Sequence, residues 1–471
     1  MKESITWIRS GWLLDGTGAP PRENMLLKIR NGNIARVENT SSVPSCFDRT
    51  IDLSGFTLLP GLIDSHVHLF MSGTADGAIR NFQQGMAFAQ LKPLIAQRLA
   101  RALSCGVVAV RDGGDARGHT LRYGKTCHDF DELPIRIKAA GKAWHQNGRY
   151  GKFIGRTPGN GDTLAAGIRK NSHPADHVKI VNSGINSLEH FGRETPPQFA
   201  AEDLQQAVSA AEKLGCKTMV HANGRQPVAT AIQAGCHSIE HGFFMGRENL
   251  QRMADRGIVW VPTAVTMQAY HQSLTSLLEK ADAAGHSNNS DAGTLERTAD
   301  IALKNLTHQL EQMRLAKELG VTMALGTDAG SPGVRHGEAV TSEIRLLMAA
   351  GLSVAQAVQC ATQHNAHLLG LSDYGTLTQG KTATFIAVPG GPQDLPDSLG
   401  RITALYVRGR GYTDLAQRTG FSKLEYNKTG GSTNGLNGNT DRKKFAAGLS
   451  WRVKQQEPVY LFCEPGKRGR L

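Results

Sequence analysis

The run Leu59-Pro60-Gly61-Leu62-Ile63-Asp64-Ser65-His66-Val67-His68 is an apolar stretch that ends in a His-x-His pair. Strand side chains alternate with a period of two, so both imidazoles of such a pair point to one side, about 6 to 7 Å apart. At that spacing two neutral imidazoles can grip a single divalent ion. Three more ligand-type side chains sit at the carboxyl ends of apolar runs. His221 closes Thr218-Met219-Val220, His241 closes Ser238-Ile239-Glu240, and Asp328 follows Met323-Ala324-Leu325-Gly326-Thr327. Position at a strand end is the criterion, because the chain holds 17 histidines and residue type alone selects too many. His119, His128, His271, His286 and His308 fall in helical or loop contexts and are read as structural or solvated. Asp76 and Asp112 have only their residue type to recommend them.

Strand ends this far apart in sequence converge only if the strands are parallel and share one mouth, which is where barrels of alternating strands and helices build their sites. Between the chain ends, apolar strands do alternate with amphipathic helices. Lys217 to His221 reads as strand, Pro227 to Ala234 as helix and Ser238 to His241 as the next strand. In the preceding helix, Ala201 to Leu214, helical spacing puts Leu204, Ala207, Val208, Ala211 and Leu214 on one buried face. The repetition spans about 310 residues and predicts an α/β fold with a (β/α)₈ barrel over 61–374. Short β-rich runs flank it: Ile5 to Ile8, Met25 to Ile29, Ile34 to Val37 and Phe56 to Leu59 before, Thr384 to Val388 and Ile402 to Val407 after. Turn signals such as Asp15-Gly16 and Asn31-Gly32-Asn33 separate them. Residues 1–60 and 375–410 are therefore expected to build one small β-sandwich from both chain ends.

With 471 residues the chain can hold a barrel and a second unit. Its 40% hydrophobic and 20% charged residues suit a globular enzyme rather than a disordered chain. No apolar run approaches the roughly 18 residues of a membrane span, and Met1 to Asp15 lacks a basic-then-apolar leader, so a cytoplasmic location is expected. Seven cysteines without a C-x-x-C pair form neither a disulfide framework nor a thiolate zinc site. The net charge of +12 is half concentrated after residue 410, where eleven Lys and Arg face five Asp and Glu. Residues 411–471 read as a basic, partly flexible tail: Thr429 to Gly435 is rich in Gly, Ser and Asn, and Val459 to Cys463 could add a strand. No nucleic acid or membrane partner is expected, only a small-molecule substrate, and a homo-oligomer is compatible with the chain.

Taken in order, Leu59 to His68, Ala175-Asp176-His177-Val178-Lys179-Ile180, His221-Ala222-Asn223, Ser238 to Gly242 and Gly326-Thr327-Asp328-Ala329 resemble the amidohydrolase superfamily over about residues 10 to 410. Within it the similarity is to the prolidase-like and imidazolonepropionase-like branches. The resemblance implies a two-metal site, with His66, His68 and Asp328 on one ion and His221 and His241 on the other. It also implies that Lys179, carboxylated by carbon dioxide, bridges the two. An ammonium is a poor ligand beside cations, whereas a carbamate is an anionic oxygen donor suited to bridging. If Lys179 is instead an unmodified strand-edge lysine, the site is mononuclear. Zinc is the expected metal, with manganese accepted by the same mixed nitrogen and oxygen donors.

The family pattern further implies attack by metal-bound hydroxide on a carbonyl carbon, with Asp328 taking the proton and passing it to the leaving nitrogen. His145, after Ala139 to Trp144 at the end of the third strand, resembles a substrate-contacting histidine. Arg149, Tyr150, Arg156 and Asn223 are further candidates. Asn223 departs from related sequences, which often have histidine there, and His336-Gly337-Glu338 either reaches the site or caps the next helix. The expected reaction is hydrolysis of an amide or peptide-like C–N bond in a dipeptide or N-acyl amino acid. Opening of a cyclic amide or imidazolone ring, or deamination, is the alternative. A non-catalytic barrel scaffold whose basic tail binds a partner is the alternative from another class.

Overall fold

A computed structural model describes residues 5–40, 50–171, 175–283 and 290–412. The basic tail from 413 onward, with the segments at Thr429 and Val459, lies outside the described residues, as does His286. Four strands come first: β1 (Ile5–Leu13), β2 (Arg22–Arg30), β3 (Asn33–Asn39) and β4 (Thr50–Pro60). Nine follow among helices: β5 (Leu62–Val67), β6 (Val107–Asp112), β7 (Arg136–Ala139), β8 (Ala143–Trp144), β9 (Gly155–Arg156), β10 (His177–Val181), β11 (Lys217–Ala222), β12 (Ser238–His241) and β13 (Val259–Val261). The last are β14 (Phe385–Pro389), β15 (Ala404–Val407) and β16 (Arg410–Gly411).

Both chain ends contribute to one sheet, ordered β16-β15-β14-β4-β1-β2-β3. Its β2–β3 hairpin turns on Asn31 and Gly32, at φ 50° and 81°, the left-handed pair that matches the twist of a tight hairpin. Ile8, Leu27, Ile34, Leu58 and Phe385 form its core, where Phe385 stacks on Tyr406 at 4.6 Å. These strands, expected from the sequence to build a small β-sandwich, are hydrogen-bonded as one seven-stranded sheet. Alternation reports which face of a strand is buried and is blind to what covers it.

The central strands are parallel, as expected of an α/β fold. They form a six-stranded sheet, β13-β12-β11-β10-β8-β9, and a three-stranded one, β5-β6-β7, with no closed ring among the described residues. Residues 322–329 carry backbone bonds to both sheets. Trp260 N donates to Thr322 O (2.9 Å), Ser65 N to Leu325 O (3.0 Å) and Asp328 N to His66 O (2.7 Å). On the other side Asp176 N donates to Ala139 O (3.1 Å), joining the entry of β10 to β7.

The helix Ala201–Lys213 buries Leu204, Ala207, Val208 and Ala211, and Glu202 and Asp203 in its first turn complement the helix dipole. Leu214, expected on the same face, is 54% exposed. It caps the helix rather than continuing it, so its side chain leaves the stripe. A single residue, Gly61, separates β4 from β5. A Cβ there would lie 2.7 Å from Val108, so glycine lets the strand that carries His66 enter the parallel layer beside β6.

Candidate metal centre

His66, next to last in β5, is wholly buried, and its ring is held from behind, Nδ1 donating to Glu240 Oε2 at 2.8 Å. Glu240 is itself gripped by Arg111 Nη2 (2.8 Å) and Ser238 Oγ (2.5 Å). His68 Nδ1 donates to Gly114 O at 2.9 Å, and His221 Nε2 to Gly184 O at 3.0 Å. His241 Nδ1 meets Thr263 Oγ1 at 2.7 Å. Each ring is thus pinned through one nitrogen; for His66, His68 and His221 the partner is a pure acceptor, which sets the tautomer and leaves the other nitrogen with its lone pair.

The four rings converge. His66 and His241 rings are 4.9 Å apart, His221 and His241 4.6 Å, and His66 and His68 5.5 Å. Asp328 Oδ1 lies 3.5 Å from His66 Nε2 and 3.4 Å from His68 Nε2. Lys179 Nζ stands 3.4 Å from His66 Nε2. The structure therefore brings together all six side chains singled out from the sequence, His66, His68, Lys179, His221, His241 and Asp328. Asp328 Oδ2 accepts from Ser331 Oγ at 2.8 Å.

Burial sets the charge states. It holds the His66 and His241 imidazoles well below their ordinary range, reinforced by Lys179 beside His66 and by His221 beside His241. His68 falls to about 4 and His221 to about 3, burial first and the Lys179 charge second. Lys179 is pushed down to about 8, mainly by burial. Burial raises the Asp328 carboxyl to about 6, against the pull of Ser331 and Lys179.

This donor set fits a divalent ion. The ligand atoms of His66, His68 and Asp328 lie within 4.8 Å of one another. Two donors on one tetrahedral zinc, each about 2.0 to 2.1 Å from it, stand about 3.3 Å apart, close to the separations found here. Neutral imidazoles with braced second nitrogens are the form that binds metal. His241 and Asp328 adopt left-handed backbone, φ 67° and 54°, a strain that concentrates at functional sites.

The candidate substrate residues are placed differently. His145 follows β8, a separate two-residue strand paired with β10 and β9. The third main strand is β7, and Gly141, at φ 71°, turns the chain between the two. His145 is buried, with Nδ1 donating to Gln146 O (2.9 Å). The Tyr150 ring is 5.5 Å from His221, and its hydroxyl is pushed up by burial and the Asp328 charge. Arg149 Nη2 donates to Pro196 O (2.9 Å). Asn223 joins two loops, its amide donating to Gly184 O (3.4 Å) while Oδ1 accepts from Phe243 N (3.1 Å). Arg156 lies over the Trp144 ring at 4.1 Å. His336 Nε2 donates to Met71 O (2.9 Å), and Gly337 precedes a helix beginning at Glu338.

Sequence reading missed Glu240, Arg111, Thr263 and Arg80. Arg80, on the helix Gly77–Gly85, is 6% exposed. Its Nη1 donates to Gly330 O (2.8 Å) and Thr74 O (3.2 Å). Its charge is felt by Asp328 and by Tyr150, whose ionised forms it favours. The only sequence signal was for Glu240, which is adjacent to His241.

The sequence profile of the amidohydrolase family matches residues 57–413. Ochratoxinase from Aspergillus niger is 25% identical over 421 residues, covering 82% of this chain and 82% of that protein. Imidazolonepropionase from Cupriavidus necator is 26% identical over 400 residues, covering 80% and 88%. The crystal structure of a Xaa-Pro dipeptidase with methionine in its active site superposes with a TM-score of 0.71 at 27% identity, covering 87% of this chain and all, 100%, of that one. Among the described residues no helix is long and apolar enough to cross a membrane.

Proposed function

Because the chain belongs to the amidohydrolase family, and is thereby a hydrolase of carbon–nitrogen bonds, we propose that it cleaves an amide or peptide-like bond in a small substrate bearing a free carboxylate, such as a dipeptide or N-acyl amino acid. The observation that carries this reading is the convergence of six side chains, five buried and Asp328 half-buried, from segments far apart in sequence, with an arginine beside them. His66, His68 and Asp328 would hold one divalent ion, zinc or manganese, and His221 and His241 a second. Lys179 would bridge the two as its carbamate. A buried amine whose pKa is about 8 is partly neutral at physiological pH, the form that adds carbon dioxide. When bound, the metal supplies Lewis acidity and lowers the pKa of water from about 15.7 toward 7.

The chain's own residues do the rest. Asp328 Oδ1 faces the imidazoles, leaving Oδ2 to take up the proton of the attacking water and hand it to the leaving nitrogen. The Ser331 hydroxyl, which donates to Oδ2, can rotate to accept while the proton is there. A carboxyl near 6 is suited to both halves of that transfer. Arg80, beside Tyr150 and Asp328, would bind the substrate carboxylate with the part of its guanidinium not committed to Gly330 and Thr74. The bonds of residues 322–329 to β5 and β13, and of Asp176 to Ala139, support reading 61–374 as a (β/α)₈ barrel. Residues 1–60 with 375–410 then form the small β-domain.

The test is a screen of dipeptides, N-acyl amino acids and cyclic amides with the zinc-loaded protein. Release of an amino acid from an open-chain substrate is expected. Turnover of cyclic amides alone would replace this reading with ring opening, and a folded chain that takes up no metal would defeat it.

A further inference from the structure

Outside the candidate metal centre, a cavity of about 400 Å³ opens among the loops after β10, β11 and β12 and the long helix Ser290–Glu318. Arg225, Arg247 and Glu311 stand on its rim with Glu194, whose carboxylate accepts from Arg225 N (2.8 Å), and Phe244, Leu315 and the ring of His308 complete the lining. Phe244 and His308 pack ring to ring at 4.6 Å, and Phe191 closes on Phe244 at 5.3 Å. No ion pair joins Arg225, Arg247 or Glu311 to another described side chain. Charges of both signs thus line one small hollow, those of Arg225, Arg247 and Glu311 outside any ion pair and that of Glu194 held by the Arg225 backbone.

The hollow is held in shape from below. Gln312, which also lines it, donates to Gly242 O (3.4 Å) and accepts from Gly246 N (3.2 Å). Gln309 donates to His241 O (2.6 Å) and Pro262 O (3.1 Å). Asn249 Nδ2 donates to Arg225 O (2.9 Å), fixing the base of one arginine. A wall braced in this way needs little ordering when a ligand enters, which favours binding.

We propose that this cavity is a binding site for a free α-amino acid with an apolar or aromatic side chain. The carboxylate meets the guanidiniums of Arg225 and Arg247, the ammonium meets Glu311, and the side chain packs on Phe244, His308 and Leu315. A ligand with charge of one sign only leaves the opposite rim group unpaired. A fully apolar ligand leaves all three. The volume lies at the small end of ligand pockets, about 300 to 1,000 Å³, and suits a single amino acid. None of these residues belongs to the candidate metal centre, so the site stands whether or not the proposed hydrolysis does.

Calorimetric titration of the full-length protein with L-phenylalanine tests this. Saturable binding is expected, weakened about tenfold or more for N-acetyl-L-phenylalanine, which lacks the ammonium, and for L-phenylalaninamide, which lacks the carboxylate. Arg247→Glu, at an exposed position, is expected to weaken L-phenylalanine about tenfold or more, and Glu311→Lys likewise. His68→Ala, which disables the candidate metal centre, is expected to leave this binding unchanged. Absence of saturable binding at millimolar L-phenylalanine overturns the proposal. So does an affinity that survives Arg247→Glu and Glu311→Lys, or one that disappears in His68→Ala, which would place the ligand at the metal centre instead.

Discussion

His66 Nδ1 and Glu240 Oε2 lie 2.8 Å apart with both side chains sealed from solvent, so a strand-end imidazole on β5 takes its orientation from a carboxylate on β12. Replacing Glu240 by Gln keeps the shape and removes the charge that supports the His66 N–H. Zinc affinity, measured by competition with a chromophoric chelator, is expected to fall about 10- to 100-fold. An unchanged affinity would show that Glu240 serves Arg111 and not the site.

Asp328→Asn retains an oxygen donor beside His66 and His68 but cannot take up a proton. Turnover is expected to fall by roughly 10²- to 10⁴-fold, with metal content by atomic emission little changed. Full turnover with metal retained would remove Asp328 as the proton carrier.

Arg80→Met is expected to raise KM about tenfold or more for substrates with a free carboxylate while sparing their primary-amide counterparts, because only the former lose an ionic partner. Arg80 also supports Gly330 O and Thr74 O. Equal losses on both substrates would therefore indicate that it only props the loop.

Glu343 is fully buried and clamps Ala264 N (3.0 Å) and Val265 N (2.7 Å), directly after the Thr263 that holds His241. Burial pushes its carboxyl up to about 8 from an ordinary 4.5. The folded state thus binds this proton more tightly than the unfolded state. The resulting stability is complete below about pH 4.5 and is lost as pH rises through about 8. Glu343→Gln is expected to flatten that part of the profile, read as the difference between urea midpoints at pH 5 and pH 8 for the two proteins. Parallel profiles would mean that Glu343 does not change its protonation on folding.

Much of the site was legible because the signal was repeated. His66, His221 and Asp328 each terminate an apolar run, and a parallel arrangement forces such ends to one mouth. The partners behind them were not legible. Ser238 and Glu240 share the inward face of β12, so alternation puts His241 on the opposite face. Its left-handed backbone, φ 67°, instead brings it within 4.9 Å of the His66 ring that Glu240 also touches. No periodicity encodes that turn. Arg80 was equally hidden, since a helix in the loop after β5 delivers it and loop paths are not written in hydropathy.

By itself the sequence determined the alternation of strands and helices, the β-rich character of both ends and five ligand-type side chains, His66, His68, His221, His241 and Asp328, because these follow from local period and residue chemistry; Lys179 entered only through the family resemblance. The tertiary structure alone decided that the end strands share a single sheet and that Leu214 is exposed. It also decided that Glu240, Thr263, Gly114 and Gly184 hold the four imidazoles. These depend on where distant backbone segments meet, and a hydrogen bond between residues 174 positions apart, as between His66 and Glu240, leaves no trace in either neighbourhood.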